Sequence, residues 1–382
     1  MSTDKPRVAV VGAGIGGTTL AILLQQAGYE CRVYEQASTA ARVGAGINLA
    51  PNSTRIFRAI GLEERMKQVG VQPRLKFSRQ WDTGEVLFTI PIPELTRRYD
   101  GPFFAFHRGD LADALISGAK PGSIAFGKRL IGLETRGETT RLAFADGSTA
   151  EADIVVGADG VHSRVRELLF GASAPDYHGL VAYRSIFPTS RVAELDLADN
   201  TKWWAPDRYV LIYYLSERRD EVYLITGTPE PWEGEDFSPR PGDPEAMRAA
   251  HPGFHPEVGR VMREATAVSI WPMLERTPFA PWSKGPVVLL GDACHATTPH
   301  MGQGAGMALE DAVVLTRCLQ GAGERRFEDA FALYEATRFA RTSRIQHESH
   351  QNEWTKTGMD HSWVYGYDAF AVPLGAPASP HA

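Results

Sequence analysis

Val8-Ala-Val-Val-Gly12-Ala-Gly14-Ile-Gly16-Gly17-Thr-Thr-Leu20 stands near the start of the chain, and its reading decides the fold. Arg7 to Val11 is rich in β-branched residues and alternates little, the pattern of a buried parallel strand, and Gly12 stops it. Ile15 to Ala27 carries Leu20, Leu23 and Leu24 at helical spacing, with Gly28 where a C-terminal cap is expected. Cys31 to Tyr34 reads as a second strand, and Glu35 stands at its carboxyl end. Glycines at 12, 14 and 17 permit a tight turn, close backbone approach to a pyrophosphate and close helix–strand contact. The helix N-terminus adds unpaired N–H groups and a positive dipole end. An acid about 20 residues further on suits a ribose hydroxyl. This βαβ unit predicts dinucleotide binding, with NAD and FAD both open; a glycine turn in an unrelated strand–helix unit is the plainer alternative.

Two more glycine-anchored runs follow in order, Gly157-Ala-Asp159-Gly160-Val-His-Ser163-Arg164-Val-Arg166 and Gly291-Asp292-Ala-Cys-His295 leading into Pro299-His300-Met301-Gly302-Gln303-Gly304. Val287 to Leu290 is a short apolar strand that delivers Asp292 at its end, where a carboxylate can accept from a ribityl or ribose hydroxyl. Pro299 to Gly306 exposes backbone at a helix start, a cradle for an isoalloxazine edge through Pro299, Gly304 and Ala305. Together these runs favour FAD; the bland alternative makes Asp292 an N-cap and the glycines a turn.

Between the signatures, Ser123 to Val156 alternates as a meander with turns at Gly137 and Asp146-Gly147. Arg74 to Ile90 reads as a hairpin around Asp82-Thr83-Gly84, and Val181 to Ile225 as several strands rich in Tyr, Trp and Ile. Gly304 to Leu319 and Phe327 to Ile345 are helical. The expected fold is α/β: a Rossmann-like FAD-binding domain interleaved with a mixed-sheet substrate domain. The nucleotide domain would take 1–72, 98–180 and 275–350, the substrate domain 73–97 and 181–274, and 351–382 would be a C-terminal segment.

At 382 residues the chain has room for two domains. A net charge of −6 provides no electrostatic footprint for nucleic acid. Cys31, Cys294 and Cys318 are too far apart for a redox motif or metal-ligand pair, and no HExxH or carboxylate–His cluster suggests a metal. No apolar run reaches the roughly 18–20 residues of a membrane span. The N-terminus lacks signal or presequence character. A cytoplasmic enzyme, monomer or homodimer, is expected.

The Gly157-Ala-Asp159-Gly160-x-x-Ser163-x-x-Arg166 run, placed between the first fingerprint and Gly291-Asp292, resembles the class A flavoprotein aromatic hydroxylases, the family of para-hydroxybenzoate and salicylate hydroxylases. The resemblance spans nearly the whole chain. Arg42-Val-Gly-Ala-Gly-Ile47, His107-Arg108-Gly-Asp110-Leu, Gly127-Lys128-Arg129-Leu130, Lys202-Trp203-Trp204 and Trp363-Val-Tyr365-Gly-Tyr367-Asp368 bring it nearest a subgroup acting on pyridine carboxylates. It implies that Gly14, Ile15 and Gly16 contact the FAD pyrophosphate and Glu35 the adenosine ribose. Gln36, Arg42 and Arg108 would flank the phosphates and ribityl chain, Leu130 the adenine, and Asp292 the ribityl or pyrophosphate region, with Asp159 and Arg166 behind them. It also implies that NADH or NADPH reduces FAD and that O2 forms a C4a-hydroperoxide, whose distal oxygen attacks an electron-rich ring. A flavin reductase or dehydrogenase on the same fold is the alternative.

The substrate would be a hydroxylated or aminated aromatic or pyridine carboxylate. If Arg208 to Leu215 is a strand, Tyr209, Leu211 and Tyr213 share one face, because strand side chains alternate with period two. Two phenols flanking an apolar residue could hold a flat hydroxylated ring, Tyr213 foremost, with Asn48 and His300 beside it. In the pyridine subgroup histidines belong where this chain has Asn48 and Tyr209. Arg184 and His300 are candidates for a substrate carboxylate, and the resemblance implies that the carbon bearing it would receive the oxygen with loss of CO2.

Overall fold

The structure, a computed structural model, describes residues 5–39, 45–234, 236–322, 327–354 and 360–375. The opening stretch forms strand Val8–Val11, helix Ile15–Gln26 and strand Cys31–Tyr34. Val8–Val11 is buried throughout and pairs in parallel with Cys31–Tyr34 on one side and Ile154–Gly157 on the other. Helices cover both faces of such a strand, so Val-Ala-Val-Val has no polar position. The six-stranded sheet runs Ser283–Lys284, Val287–Leu289, Ile154–Gly157, Val8–Val11, Cys31–Tyr34, Ile124–Ala125, parallel except at its first strand. All three glycine signatures therefore leave the carboxyl ends of adjacent strands, where open α/β sheets bind ligands.

The alternating pattern over Ser123 to Val156 predicts one meander. The structure keeps Leu130–Arg136, Thr139–Phe144 and Thr149–Ala152 as an antiparallel three-stranded sheet, but its flanks, Ile124–Ala125 and Ile154–Gly157, belong to the parallel sheet. Ile154-Val-Val-Gly157 is buried at every position, which alternation cannot describe.

The second sheet has eight strands, in the order Arg240–Gly242, Val268–Glu275, Asp176–Pro188, Glu221–Pro229, Tyr209–Tyr214, Asn200–Trp204, Leu75–Gln80, Val86–Pro91. Its neighbours are antiparallel except where the hairpin joins: Leu75–Gln80 runs parallel to Asn200–Trp204. Alternation splits these strands. Trp203, Val210, Ile212 and Leu224 point into a core shared with Met247, Val258, Val261 and Met262 of the covering helices Pro244–Ala249 and Pro256–Glu264. The opposite face is turned toward the parallel sheet.

Helices Gly304–Gly321 and Phe327–Gln351 are locked by a buried charge network. Arg338 pairs with Glu310 and Asp311, both at 2.7 Å, and Arg341 with Glu310 at 2.8 Å. Burial alone would raise both carboxyls, yet Arg341 and Arg338 hold Glu310 below its ordinary value, and His295 and Arg338 hold Asp311 at about 2. Among the described residues, no helix is long and apolar enough to cross a membrane.

Candidate active site

A cleft of about 370 Å³ lies between the carboxyl edge of the parallel sheet and the uncovered face of the eight-stranded sheet. One wall carries Gly14, Ile15 and Gly16, then Ala158, Gly160 and Asp292, then the loop from Thr297 to Ala305. The other wall is laid out by strand register in cross-strand rows. Trp204, Tyr209 and Gly227 face one another in the first, and Ser78, Lys202, Leu211, Ile225 and Arg184 in the second. The third joins Asn200, Tyr213 and Tyr223, with Lys76 one strand beyond Asn200. Tyr209, Leu211 and Tyr213 thus share the cleft-facing side.

Two glycines let the phenols lie flat against backbone. A Cβ on Gly227 would stand 2.2 Å from Tyr209 Cε1, and one on Gly46 would stand 2.4 Å from Tyr213 Oη. Burial pushes both phenols well above their ordinary value, so each is a hydrogen-bond donor at neutral pH. His300 pairs its Nδ1 with the Ser349 carbonyl at 2.9 Å, which makes Nδ1 the donor, and its buried Nε2 meets no partner among the described residues. Burial, aided by the Lys202 charge, lowers His300 to about 3. The ring is therefore neutral, with an acceptor lone pair left at Nε2. Asn200 Nδ2 donates to Asn48 Oδ1 at 3.4 Å, which orients both amides.

Cations outnumber anions here. Arg184 lies 4.4 Å from the centroid of the Trp271 ring and, among the described residues, forms no ion pair. Lys202 sits 3.8 Å over Trp204 and 4.0 Å over Tyr209 and reaches Asn352 Oδ1 at 3.4 Å. Arg108 and Asp292 are both exposed into the cleft; desolvation by the surrounding protein raises the Asp292 carboxyl, and His295 and Arg108 oppose that rise.

Other expected site residues stand apart from the cleft. Glu35 accepts hydrogen bonds from the backbone N–H of Ala13 and Ala37, each at 2.8 Å, and so braces the glycine turn. Gln36 is exposed beside it. The Leu130 side chain is buried in the core around the parallel sheet. Arg42 lies outside the described residues. Asp159 accepts from Ser163 Oγ at 2.5 Å and Val165 N at 3.0 Å, holding the start of helix Arg164–Phe170. Arg166 lies 3.7 Å over the Phe279 ring. Sequence reasoning missed Lys76, Ser78 and Asn200. The signal was partial: Asn200 and Lys202 alternate like the tyrosines, but the pairing of residues near 78 with those near 202 has no local signature.

A profile of the family described as FAD binding domain matches residues 5–349. The chain belongs to that family. Among its relatives it is 45% identical over 381 residues to 6-hydroxynicotinate 3-monooxygenase of Pseudomonas fluorescens, covering 98% of each chain. It is 36% identical to 3-amino-4-hydroxybenzoate 2-monooxygenase of Streptomyces cremeus, covering 89% of this chain and 84% of that one. A salicylate hydroxylase solved as a substrate complex superposes with a TM-score of 0.82 at 25% identity, over 97% of both chains. This member of the FAD-binding family is a flavin-dependent aromatic monooxygenase, and the reductase alternative is not favoured.

The glycines test the fit to FAD. A Cβ on Gly17 would stand 2.2 Å from Gly12 O, and one on Gly12 would stand 2.5 Å from Ala158 O, so these two serve packing; Gly12 also takes φ +102°. A Cβ on Gly14 would meet no atom of the described residues within 4 Å, nor would one on Gly160 or Gly302. Bare backbone on the cleft side with open space over it is what a dinucleotide needs. Gly17→Ala is expected to destabilise the fold by about 1–3 kcal/mol through overpacking. Gly14→Ala is expected to leave the apoprotein's unfolding temperature in place and weaken FAD retention, read by flavin absorbance after gel filtration.

Proposed function

We propose that this chain hydroxylates a hydroxyl- or amino-bearing benzene or pyridine carboxylate, consuming NADH or NADPH and O2. The observation that carries the reading is the pairing, across one cleft, of a glycine-lined dinucleotide wall, whose loop carries the neutral imidazole acceptor His300, with a wall bearing two protonated phenols. FAD bound there supplies the reduction of O2 and the activated oxygen. Backbone of Gly14, Ile15 and Gly16 would take the pyrophosphate, Arg108 and Asp292 the phosphate and ribityl groups, and Pro299, Gly304 and Ala305 the ring edge. Glu35, fixed by two backbone donors, would keep a lone pair for the adenosine ribose, with Gln36, Leu130 and Arg42 around the same nucleoside.

The remaining residues orient the substrate. Tyr213 and Tyr209 donate to the ring oxygen, which favours its ionised, more nucleophilic form. His300 Nε2 accepts a hydrogen bond from a ring hydroxyl, ring N–H or amino group; at about 3 it is a positioning acceptor rather than a base near neutral pH. Asn48, held by Asn200, presents a neutral amide to the same space. Such a set suits a ring whose hydroxyl ionises readily or which already carries a polarised N–H. Leu211 and Ile225 cover the floor between them and exclude water.

Purified holoenzyme offered mono- and dihydroxybenzoates, aminobenzoates and hydroxypyridinecarboxylates is expected to turn over at least one with hydroxylated product matching NAD(P)H oxidised. NAD(P)H oxidation yielding peroxide alone with every member would refute the reading. In a nicotinate, carbon 3 bears the carboxylate, so the name of the Pseudomonas relative describes oxygen delivered to that carbon. For this chain, a substrate with its carboxylate opposite the ring hydroxyl is expected to release CO2 equimolar with product. A product that keeps its carboxylate would place the oxygen elsewhere on the ring.

A further inference from the structure

We infer that Lys76 binds the anionic substituent of the aromatic substrate, at the end of the cleft away from Tyr213. This rests on the substrate class proposed above and assigns that class its anchor. Lys76 belongs to strand Leu75–Gln80 and lines the cleft. The register that pairs Phe77 with Thr201 sets Lys76 beside Asn200, and Asn200 faces Tyr213. Lys76 and Tyr213 thus stand two strand spacings apart, roughly 10 Å between backbones. A flat ring with substituents at opposite ends fits that span, the flexible lysine stem taking up the difference.

The surroundings of the ammonium are apolar. It lies 4.4 Å from the centroid of the Phe103 ring, and Ile90, Trp354 and Tyr365 line the same end of the cleft. Among the described residues it forms no ion pair with an acid, and burial pushes it down from 10.5 to about 8. His361 is the titratable group that feels its charge, and it supplies no negative one. A desolvated ammonium with a single ring contact keeps most of its desolvation penalty. A carboxylate entering the cleft would offset it, forming a charge-assisted pair in a low-dielectric pocket. Among the other cleft cations, Lys202 holds Trp204, Tyr209 and Asn352, and Arg108 stands in the field of Asp292; Arg184 has a ring contact like that of Lys76, but its charge acts on the Tyr209 and Tyr213 phenols, at the hydroxyl end of the cleft.

The test uses FAD-loaded wild type, Lys76→Met and Lys76→Arg, titrated with benzoate and nicotinate and with benzamide and nicotinamide. Binding is read from the flavin absorbance change and the shift in unfolding temperature. Wild type should bind the acids at least about 10-fold more tightly than the amides, and Lys76→Met should weaken the acids about 10- to 100-fold while leaving the amides within about twofold. Lys76→Arg should recover part of the loss. Because Met replaces a partly buried, desolvated charge with an apolar chain of similar length, the ligand-free variant should unfold no earlier than wild type. Equal binding of acids and amides by wild type overturns the inference, and so does unchanged acid binding by folded, FAD-loaded Lys76→Met. Acid binding that follows these expectations without hydroxylation of any panel member would uphold Lys76 and sink the proposed reaction instead.

Discussion

Tyr213→Phe is expected to lower coupled hydroxylation by about 10²-fold, the usual loss when one preorganised donor to a developing charge is removed. FAD retention should be unchanged, because the phenol lies over Gly46 on the sheet side of the cleft, away from the glycine cradle at Gly14. Substrate-stimulated NAD(P)H oxidation should persist, with oxygen leaving as peroxide, so product per NAD(P)H is the measurement that isolates the effect. Between pH 5 and 8 the loss should be constant: His300 stays neutral above about 3, and burial keeps both phenols protonated. A coupled rate within twofold of wild type would show that the hydroxyl does not touch the reacting ring.

Arg338→Leu carries the largest expected effect on stability. Arg338 is fully buried, and its removal leaves Asp311 with only His295 and the Gly291 N–H, and Glu310 with only Arg341 and Asn52, inside the protein. Breaking a buried pair in this way typically costs about 3–5 kcal/mol, since two buried carboxylates each lose the guanidinium that helped compensate them. Urea unfolding of the apoprotein should show the loss as a lower midpoint. The consequence also reaches the cleft. Asp311 accepts from the backbone N–H of Gly291 at 3.1 Å, next to Asp292, and Asn52 bridges Glu310 to Gln303 in the loop before Gly304. A variant that stays folded should therefore also hold FAD less well. Unaltered midpoint and retention would mean that the two helices are held by their apolar contacts alone.

The parts of this molecule that could be read from sequence are those governed by short-range rules. Val8 to Tyr34 is legible because a strand buried on both faces, a glycine turn and a helix each leave their pattern within a few residues. The common face of Tyr209, Leu211 and Tyr213 follows from strand alternation alone. Lys76 was not legible as a neighbour of Asn200 in the row that ends at Tyr213, because that depends on a parallel pairing between residues more than a hundred positions apart. The flanks of the Ser123 to Val156 region were misread for the same reason: Ile124–Ala125 and Ile154–Gly157 take partners elsewhere in the parallel sheet. Nor does a sequence show that the Glu35 carboxylate clasps two backbone N–H groups, or that the Leu130 side chain turns inward.

The strand order of the eight-stranded sheet also bears on how the molecule is made. The hairpin Leu75–Pro91 leaves the ribosome long before Asn200–Trp204, the strand that flanks it, and before Glu221–Pro229, which closes the floor beside Tyr209–Tyr214. Val287–Leu289, which extends the parallel sheet beyond Ile154–Gly157, emerges later still. Neither sheet can be completed by the first half of a nascent chain, so the growing polypeptide carries an unpaired strand edge, with Leu75, Val86 and Leu87 exposed along the hairpin even in the finished protein. Contacts of such long sequence separation fold slowly and leave edges open to wrong pairing. A fragment ending before residue 230 is thus an aggregation-prone intermediate, and the yield of active enzyme in a cell will depend on how well that interval is chaperoned.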